Sequence, residues 1–438
     1  MMDIQIHRGA RQIGGMAVEI AAGQTRLLMD CGSELDGARG AVSDASMREL
    51  LRTRRFDAVL LTHYHGDHIG LLDAITEDTP IYMSPAIYMV LKTKQRFLKQ
   101  AWMQTLLDDE QGRLHIIPPA KTFQLGDFSI TPYYVDHSAY YAYMYVLEAE
   151  GKVVLHSGDF RAHGKLGGAL KKLVPRLIHR HHGIDVLLVE GTLLGRNDAA
   201  NLMASQRDGW PEVRCGSEKQ LAEEALRLFQ RHRQNFVVCS STNFDSLDGF
   251  CNAAAKAHLP IYAHPHLAAQ MKAFSGIEEK HQNVYHLPDV AGRSPKKLLE
   301  DRPQEFVCLI GTLMNPKSFD YYADIMRAFP DAQIIYSMWT GYLRKGSTAS
   351  IDALADFVAS WPRGAFLHTS GHAKPSDLKW FIETIRPREA ILPMHSMHPE
   401  ELKNIGVSGK LAERIRLLQD GEVYHTDRTK GGASWKMS

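Results

Sequence analysis

The run His63-Tyr64-His65-Gly66-Asp67-His68 sets three imidazoles and a carboxylate directly behind the apolar stretch Ala58-Val59-Leu60-Leu61. Four such groups at the end of a buried strand make poor core and good divalent-metal ligands. Their spacing lets His63 and His65 reach one ion while Asp67 and His68, on the following turn, serve a second. Two ions need more donors than six residues provide. The further candidates are His137 in Tyr134-Val135-Asp136-His137-Ser138, Asp159 in Ser157-Gly158-Asp159, and His395 in Pro393-Met394-His395-Ser396, with His398 as a near competitor of His395. Asp159 suits a carboxylate shared between the ions. A mixed imidazole and carboxylate set favours two Zn²⁺, with Mn²⁺ as the alternative because no thiolate accompanies it.

The elements that must position these side chains are short apolar strands. Ala58 to Leu61 precedes His63, Val153-Val154-Leu155 precedes Asp159, Val186-Leu187-Leu188-Val189 precedes Glu190, and Ile391-Leu392 precedes His395. Sites of layered α/β proteins gather at such strand ends, so these four ends are expected to converge. Between Leu194 and Trp361 the pattern changes to alternating helix and strand. Helices are expected over Ser217 to Arg233, Asp245 to Lys256 and Lys317 to Ala328, with strands at Phe236 to Cys239, Ile261-Tyr262, Phe306 to Ile310 and Gln333 to Tyr336. That alternation signals a parallel α/β unit of its own. The fold class is therefore α/β with a discontinuous metal domain: residues 1–194 and 362–428 form it, 195–361 are inserted, and 429–438 are a disordered tail.

Composition bounds the rest. The 438 residues suit more than one domain, and 44% hydrophobic content supplies ample core. With 51 basic and 50 acidic side chains the formal charge is +1, so any polyanion site must be local. The five cysteines, never spaced as CxxC, point away from a disulfide framework and toward a reducing cytoplasm. No basic, apolar leader opens the chain and no run of about 18 apolar residues occurs, so neither export nor membrane insertion is expected.

Taken in order, His63-Tyr64-His65-Gly66-Asp67-His68, His137 and Asp159 resemble the motifs of the metallo-β-lactamase superfamily. Three later positions narrow the likeness to its β-CASP nucleases: Glu190 in Val189-Glu190-Gly191-Thr192, His372 in Thr369-Ser370-Gly371-His372-Ala373, and His395. Met29-Asp30-Cys31-Gly32 and the run from His368 to Ala373 bring it nearest to the ribonuclease J family, over about residues 3 to 425. The resemblance implies an αββα metallo-β-lactamase sandwich with an inserted β-CASP α/β domain. It implies one metal held by His63, His65 and His137, another by Asp67, His68 and His395, and Asp159 bridging. His372 would approach the scissile phosphate, and Glu190 would orient or charge-tune His372. A histidine at the position of His395 goes with RNA rather than DNA cleavage in that family.

The chemistry so implied is hydrolysis of phosphodiester bonds in single-stranded RNA, exo- or endonucleolytic. Two cations would lower the pKa of a shared water toward about 7 and neutralise charge on a phosphoryl oxygen. Asp67 would orient that nucleophile or accept its proton, and His372 would stabilise the equatorial oxygens or protonate the leaving oxygen. Ser370 and Arg161 are candidate phosphate contacts, with a turn and a structural ion pair as their plainer roles. His368 competes with His372 for the catalytic place. His264-Pro265-His266 and the run from Arg176 to His182 are assigned to the surface. The basic stretch from Lys92 to Gln100, with Phe97 and Trp102 interleaved, has the composition of a single-strand groove or of a solvated helix face. The rivals are a DNA-directed nuclease, a small-molecule hydrolase and a non-catalytic scaffold. The chain ends where ribonuclease J usually continues into a further domain, so a homodimer stays open.

Overall fold

The computed structural model describes residues 1–35, 40–110, 112–196, 210, 212–275, 287–311, 316–347 and 350–427, so the expected tail at 429–438 lies outside the described residues. Two sheets form the first body. One runs, in spatial order, Val423–His425, Met2–Arg8, Ala17–Ala22, Thr25–Met29, Ala58–Leu60, Ile81–Met83 and Leu114–Ile116. The other runs Ala390–Met394, Val186–Glu190, Lys152–His156, Tyr143–Ala149, Phe128–Tyr134 and Phe123–Leu125.

Alternation along the strands makes the layering. Leu27, Met29, Ala58 and Leu60 of the first sheet meet Tyr143, Tyr145, Val154, Val186, Leu188 and Leu392 of the second in one dry core. The intervening residues face outward. On the second sheet Leu155, Leu187, Val189 and Ile391 pack on the helices Gly167–Arg180 and Pro375–Ile385. On the first, Leu28, Val59, Leu61 and Ile81 pack on Asp44–Thr53 and Pro85–Leu98. The result is helix, sheet, sheet, helix. Both faces of the central strands are covered, which is why they read as unbroken apolar runs.

A third sheet, Glu212–Arg214, Gly364–His368, Gln333–Ser337, Gln234–Cys239, Phe306–Ile310 and Ile261–Ala263, is parallel throughout. The helices Glu218–Arg231, Phe244–Lys256 and Pro265–Ser275 cover one face, and Pro295–Asp301, Pro316–Arg327 and Asp352–Ser360 the other. The strand Gly364–His368 belongs to this sheet although it follows Trp361, and the chain leaves it directly into residues 369–373. Among the described residues no helix is long and apolar enough to cross a membrane. One surface assignment needs correction: His181 is buried against the Tyr133 hydroxyl at 2.8 Å.

Glu19 ties the first sheet together. Its buried carboxylate meets His7 Nε2 at 2.8 Å and Arg54 Nε at 2.6 Å, and also pairs with Arg26. Burial alone would raise its pKa, but the hydrogen bonds from His7 and Arg54 outweigh it and hold the carboxyl at about 2. A carboxyl lowered on folding stabilises fully above its unfolded pKa and loses that contribution as pH falls through the folded one. Urea unfolding of wild type against Glu19→Gln is therefore expected to differ by roughly 3 kcal/mol at pH 7, the gap closing below about pH 4.5. A gap constant with pH would contradict it.

Candidate metal centre

The ligand-rich turn is built by the end of the strand Ala58–Leu60 and the short helix Gly66–Ile69, with His65 at its N-cap. Its backbone is pinned by two neighbouring loops. Met16 N donates to Asp67 O at 2.9 Å, Cys31 N to His68 O at 2.8 Å and Ser33 N to Gly66 O at 3.0 Å. Gly32 passes so close to Asp67 that no Cβ fits there. Asp30, in the left-handed region at φ 61°, accepts from Thr62 N at 2.7 Å and faces His68 Nδ1 at 2.7 Å. That contact turns His68 Nε2 toward Asp159 Oδ2, 3.2 Å away.

Distant segments complete the cluster. His63 Nε2 and His137 Nε2 lie 3.0 and 3.3 Å from His65 Nδ1. The other nitrogen of His137, Nδ1, is 2.7 Å from the Gly371 carbonyl, which fixes the ring. Asp159 follows the strand Lys152–His156, and His395 follows Ala390–Met394 in the left-handed region at φ 53°. His395 Nε2 faces Asp67 Oδ2 at 3.2 Å and accepts from Gly14 N at 3.0 Å, while Nδ1 meets the Thr192 hydroxyl at 2.7 Å. His398 is 52% exposed and pairs with Glu400, so it stands apart. Four overlapping triads gather within ligand range: His63, His65, His137; His63, His68, Asp159; Asp67, His68, His395; and Asp159, His372, His395.

The donor set fits divalent cations. Burial holds His63 and His137 well below the usual imidazole range and His65 at about 4, so these rings are neutral with lone pairs to offer. For Asp159, burial pushes the carboxyl up, but His395, His68 and His372 outweigh it and keep it ionised. His68 Nε2, Asp159 Oδ1 and His372 Nδ1 are buried and make no hydrogen bond. Such groups in a dry cluster want a cation.

His372 keeps 22% of its side chain exposed and points Nδ1 at Glu190 Oε1, 3.4 Å away, and at Asp159 Oδ2, 3.6 Å away. Glu190 is fully buried and accepts from the backbone of Phe160, Thr192 and Ala373 at 3.0 to 3.2 Å. It therefore fixes the loop that carries His372. Ser370 Oγ accepts from His372 N at 3.1 Å, which commits its side chain to the turn. Arg161 departs from the expectation that it contacts a substrate phosphate. Its guanidinium is wholly buried among Asp136, Glu218 and Asp245, because an always-charged group placed beside three interior carboxylates pairs with them.

Sequence reasoning passed over Asp30, Thr192, Gly14 and Arg8. Asp30 carries the same signal as the ligands, an acid directly after an apolar strand, and Thr192 lies two residues beyond Glu190. The others act through backbone. Buried Arg8 donates to the Gly15 carbonyl at 2.7 Å and pairs with Asp44 at 2.9 Å, holding the loop whose Gly14 N–H reaches His395.

Residues 25–231 match the beta-lactamase superfamily domain, and residues 364–400 match the Zn-dependent metallo-hydrolase RNA specificity domain. The chain is 27% identical over 174 residues to "Ribonuclease TTHA0252" of Thermus thermophilus, covering 38% of each chain. It is 28% identical over 204 residues to "RNase J-like protein" of Methanocaldococcus jannaschii, covering 44% of this chain and 43% of that one. A ribonuclease J of Helicobacter pylori is 20% identical over 94% of this chain and 59% of its own length. The matches thus span about two fifths to three fifths of these curated relatives. In fold, the chain is similar to a protein of unknown function from Enterococcus faecalis V583, with TM-score 0.71, 19% identity, and 97% and 99% of the two chains covered. The sandwich and parallel third sheet agree with that likeness.

If Asp30 orients His68, Asp30→Ala should weaken divalent-metal binding about 10–100-fold in a competition titration with a chelating dye. Unchanged affinity would mean that His68 is held without it.

Proposed function

Because the chain carries a metallo-β-lactamase superfamily domain and a metallo-hydrolase RNA specificity domain, we propose that it is a metal-dependent ribonuclease cutting phosphodiester bonds of single-stranded RNA. One observation carries the reading. Asp159 lies in ligand range of His63 and His68 and of His372 and His395, and these residues overlap the sets His63, His65, His137 and Asp67, His68, His395, with His372 Nδ1 3.6 Å from Asp159 Oδ2. In this reading each set holds one divalent ion, zinc by its nitrogen-rich donors, with Asp159 shared.

Bound there, such ions supply Lewis acidity, lowering the pKa of water and neutralising charge on a phosphoryl oxygen. The protein's own side chains do the rest. Asp67, held ionised beside His68 and His395 although burial alone would raise its pKa, orients the attacking water or takes its proton. With Nδ1 turned to Glu190, His372 presents its other nitrogen to a phosphoryl oxygen or to the leaving oxygen. Glu190 positions that ring through its loop. With the later boundary moved from 361 to about 368 by the strand Gly364–His368, the two-sheet body is read as the metal unit and the third-sheet body as the unit that closes over a strand. The match to an RNA specificity domain and the likeness to ribonucleases support RNA over DNA or a lactam.

Metal-loaded protein incubated with labelled single-stranded RNA, single-stranded DNA and a lactam tests the reading beside the His65→Ala, Asp67→Ala double variant. RNA cleavage is expected, abolished in the variant, and reduced about 10²–10⁴-fold in kcat by His372→Ala with metal content unchanged. Lactam turnover alone would overturn the nuclease reading. Absence of any metal-dependent turnover would favour a scaffold.

A further inference from the structure

A fully buried charge cluster outside the ligands centres on Arg161, and it joins parts that the chain keeps far apart. Its main-chain N–H donates to Asp136 O at 2.6 Å. Its Nη1 donates to Glu218 Oε1 and to the Ser370 carbonyl, each at 2.8 Å, Nη2 pairs with Asp245, and Nε lies 3.6 Å from Asp136 Oδ1. Asp136 directly precedes His137, and Arg161 stands two residues after Asp159. Glu218 opens the helix Glu218–Arg231, and Asp245 lies in the first turn of Phe244–Lys256, both helices of the third sheet. Ser370 belongs to the turn that ends in His372.

We propose that Arg161 is a positioning residue that sets the catalytic histidine against the metal ligands by clamping the third-sheet helices and the 369–373 loop onto the loops bearing His137 and Asp159. The inference rests on the ribonuclease reading for its catalytic consequence, but not for its structural one. A rigid fork suits the task, since one planar guanidinium reaches several acceptors in fixed directions that an ammonium cannot reproduce. The surroundings are shaped to it. A Cβ on Gly164 would collide with Asp136, Arg161 and Asp245 together, and Gly164 N instead donates to Asp136 Oδ2 at 2.7 Å. His163 Nε2 lies 3.0 Å from the same Ser370 carbonyl, and His137 Nδ1 holds Gly371 O, so the loop is gripped from the metal side at successive residues.

Arg161→Lys keeps the charge and loses the fork. Amide exchange of residues 369–373 is expected to quicken at least about tenfold at unchanged zinc content, with kcat on RNA down about 10–100-fold. Because Arg161 acts through His372, the Arg161→Lys, His372→Ala double variant should lose no more rate than His372→Ala alone. Unchanged exchange in the loop, or losses that multiply in the double variant, would overturn the proposal. Should Arg161→Lys fail to fold, Glu218→Gln, which keeps the arginine and weakens one of its anchors, is read by the same exchange and the same pairing with His372→Ala. Were the wild type to cleave no RNA, the ribonuclease reading would fall, and exchange alone would decide the clamp.

Discussion

Asp159 sets the terms for everything around it: a carboxylate 2% exposed, with ring nitrogens of His63, His68, His372 and His395 standing 3.2 to 3.9 Å from its oxygens. An interior charge of this kind is costly unless it is matched at close range. The match is spread over three separate segments, the turn after Ala58–Leu60, the 369–373 loop and the end of Ala390–Met394, none of which could supply it alone. The covered strands of the sandwich place those ends within a few ångströms without asking any loop to be rigid by itself.

Support for the cluster is arranged in successive shells. Asp30 and Thr62 orient His68, Thr192 orients His395, and the Gly371 carbonyl orients His137. For His68 and His137 one ring nitrogen is engaged by the protein, which fixes the direction of the other, and His395 is held through both nitrogens, by Thr192 and the Gly14 amide. Glu190 differs, since it spends its oxygens mainly on backbone N–H groups and so shapes the loops rather than a ring. The two non-glycine residues at φ near 60° in this region, Asp30 and His395, are both at strand ends, where side-chain hydrogen bonds keep the unusual backbone in place.

Much of this could be read from residue order. His63, Asp159, Glu190 and His395 betray themselves because polar, ligand-type residues directly after apolar runs have no role in a core. The helices and strands expected between residues 217 and 336 fall within about two residues of their observed boundaries, but the helices Pro265–Ser275 and Pro295–Asp301 carried no period that announced them. Direction was not legible. Arg161 lies close to Asp159 in the chain, yet its side chain runs the other way, toward carboxylates 57 and 84 residues distant. The choice between His395 and His398, three residues apart, depends on which falls inside the fold, and only packing decides that. Asp30, Thr192 and the Gly14 amide act through contacts with partners far along the chain, which no local pattern encodes.

The strand Val423–His425 pairs with Met2–Arg8, and Ala390–Met394 pairs with Val186–Glu190, so the two-sheet body closes only with segments from opposite ends of the numbering. The third sheet draws instead on the single stretch 212–368. On a ribosome, the later-starting parallel unit can therefore be finished while each sheet of the body that surrounds it in sequence still lacks one strand and the ligand cluster still lacks His395. The donors His63, His65 and His137 all precede that unit in synthesis, whereas the group Asp67, His68 and His395 closes only once Ala390–Met394 has been made.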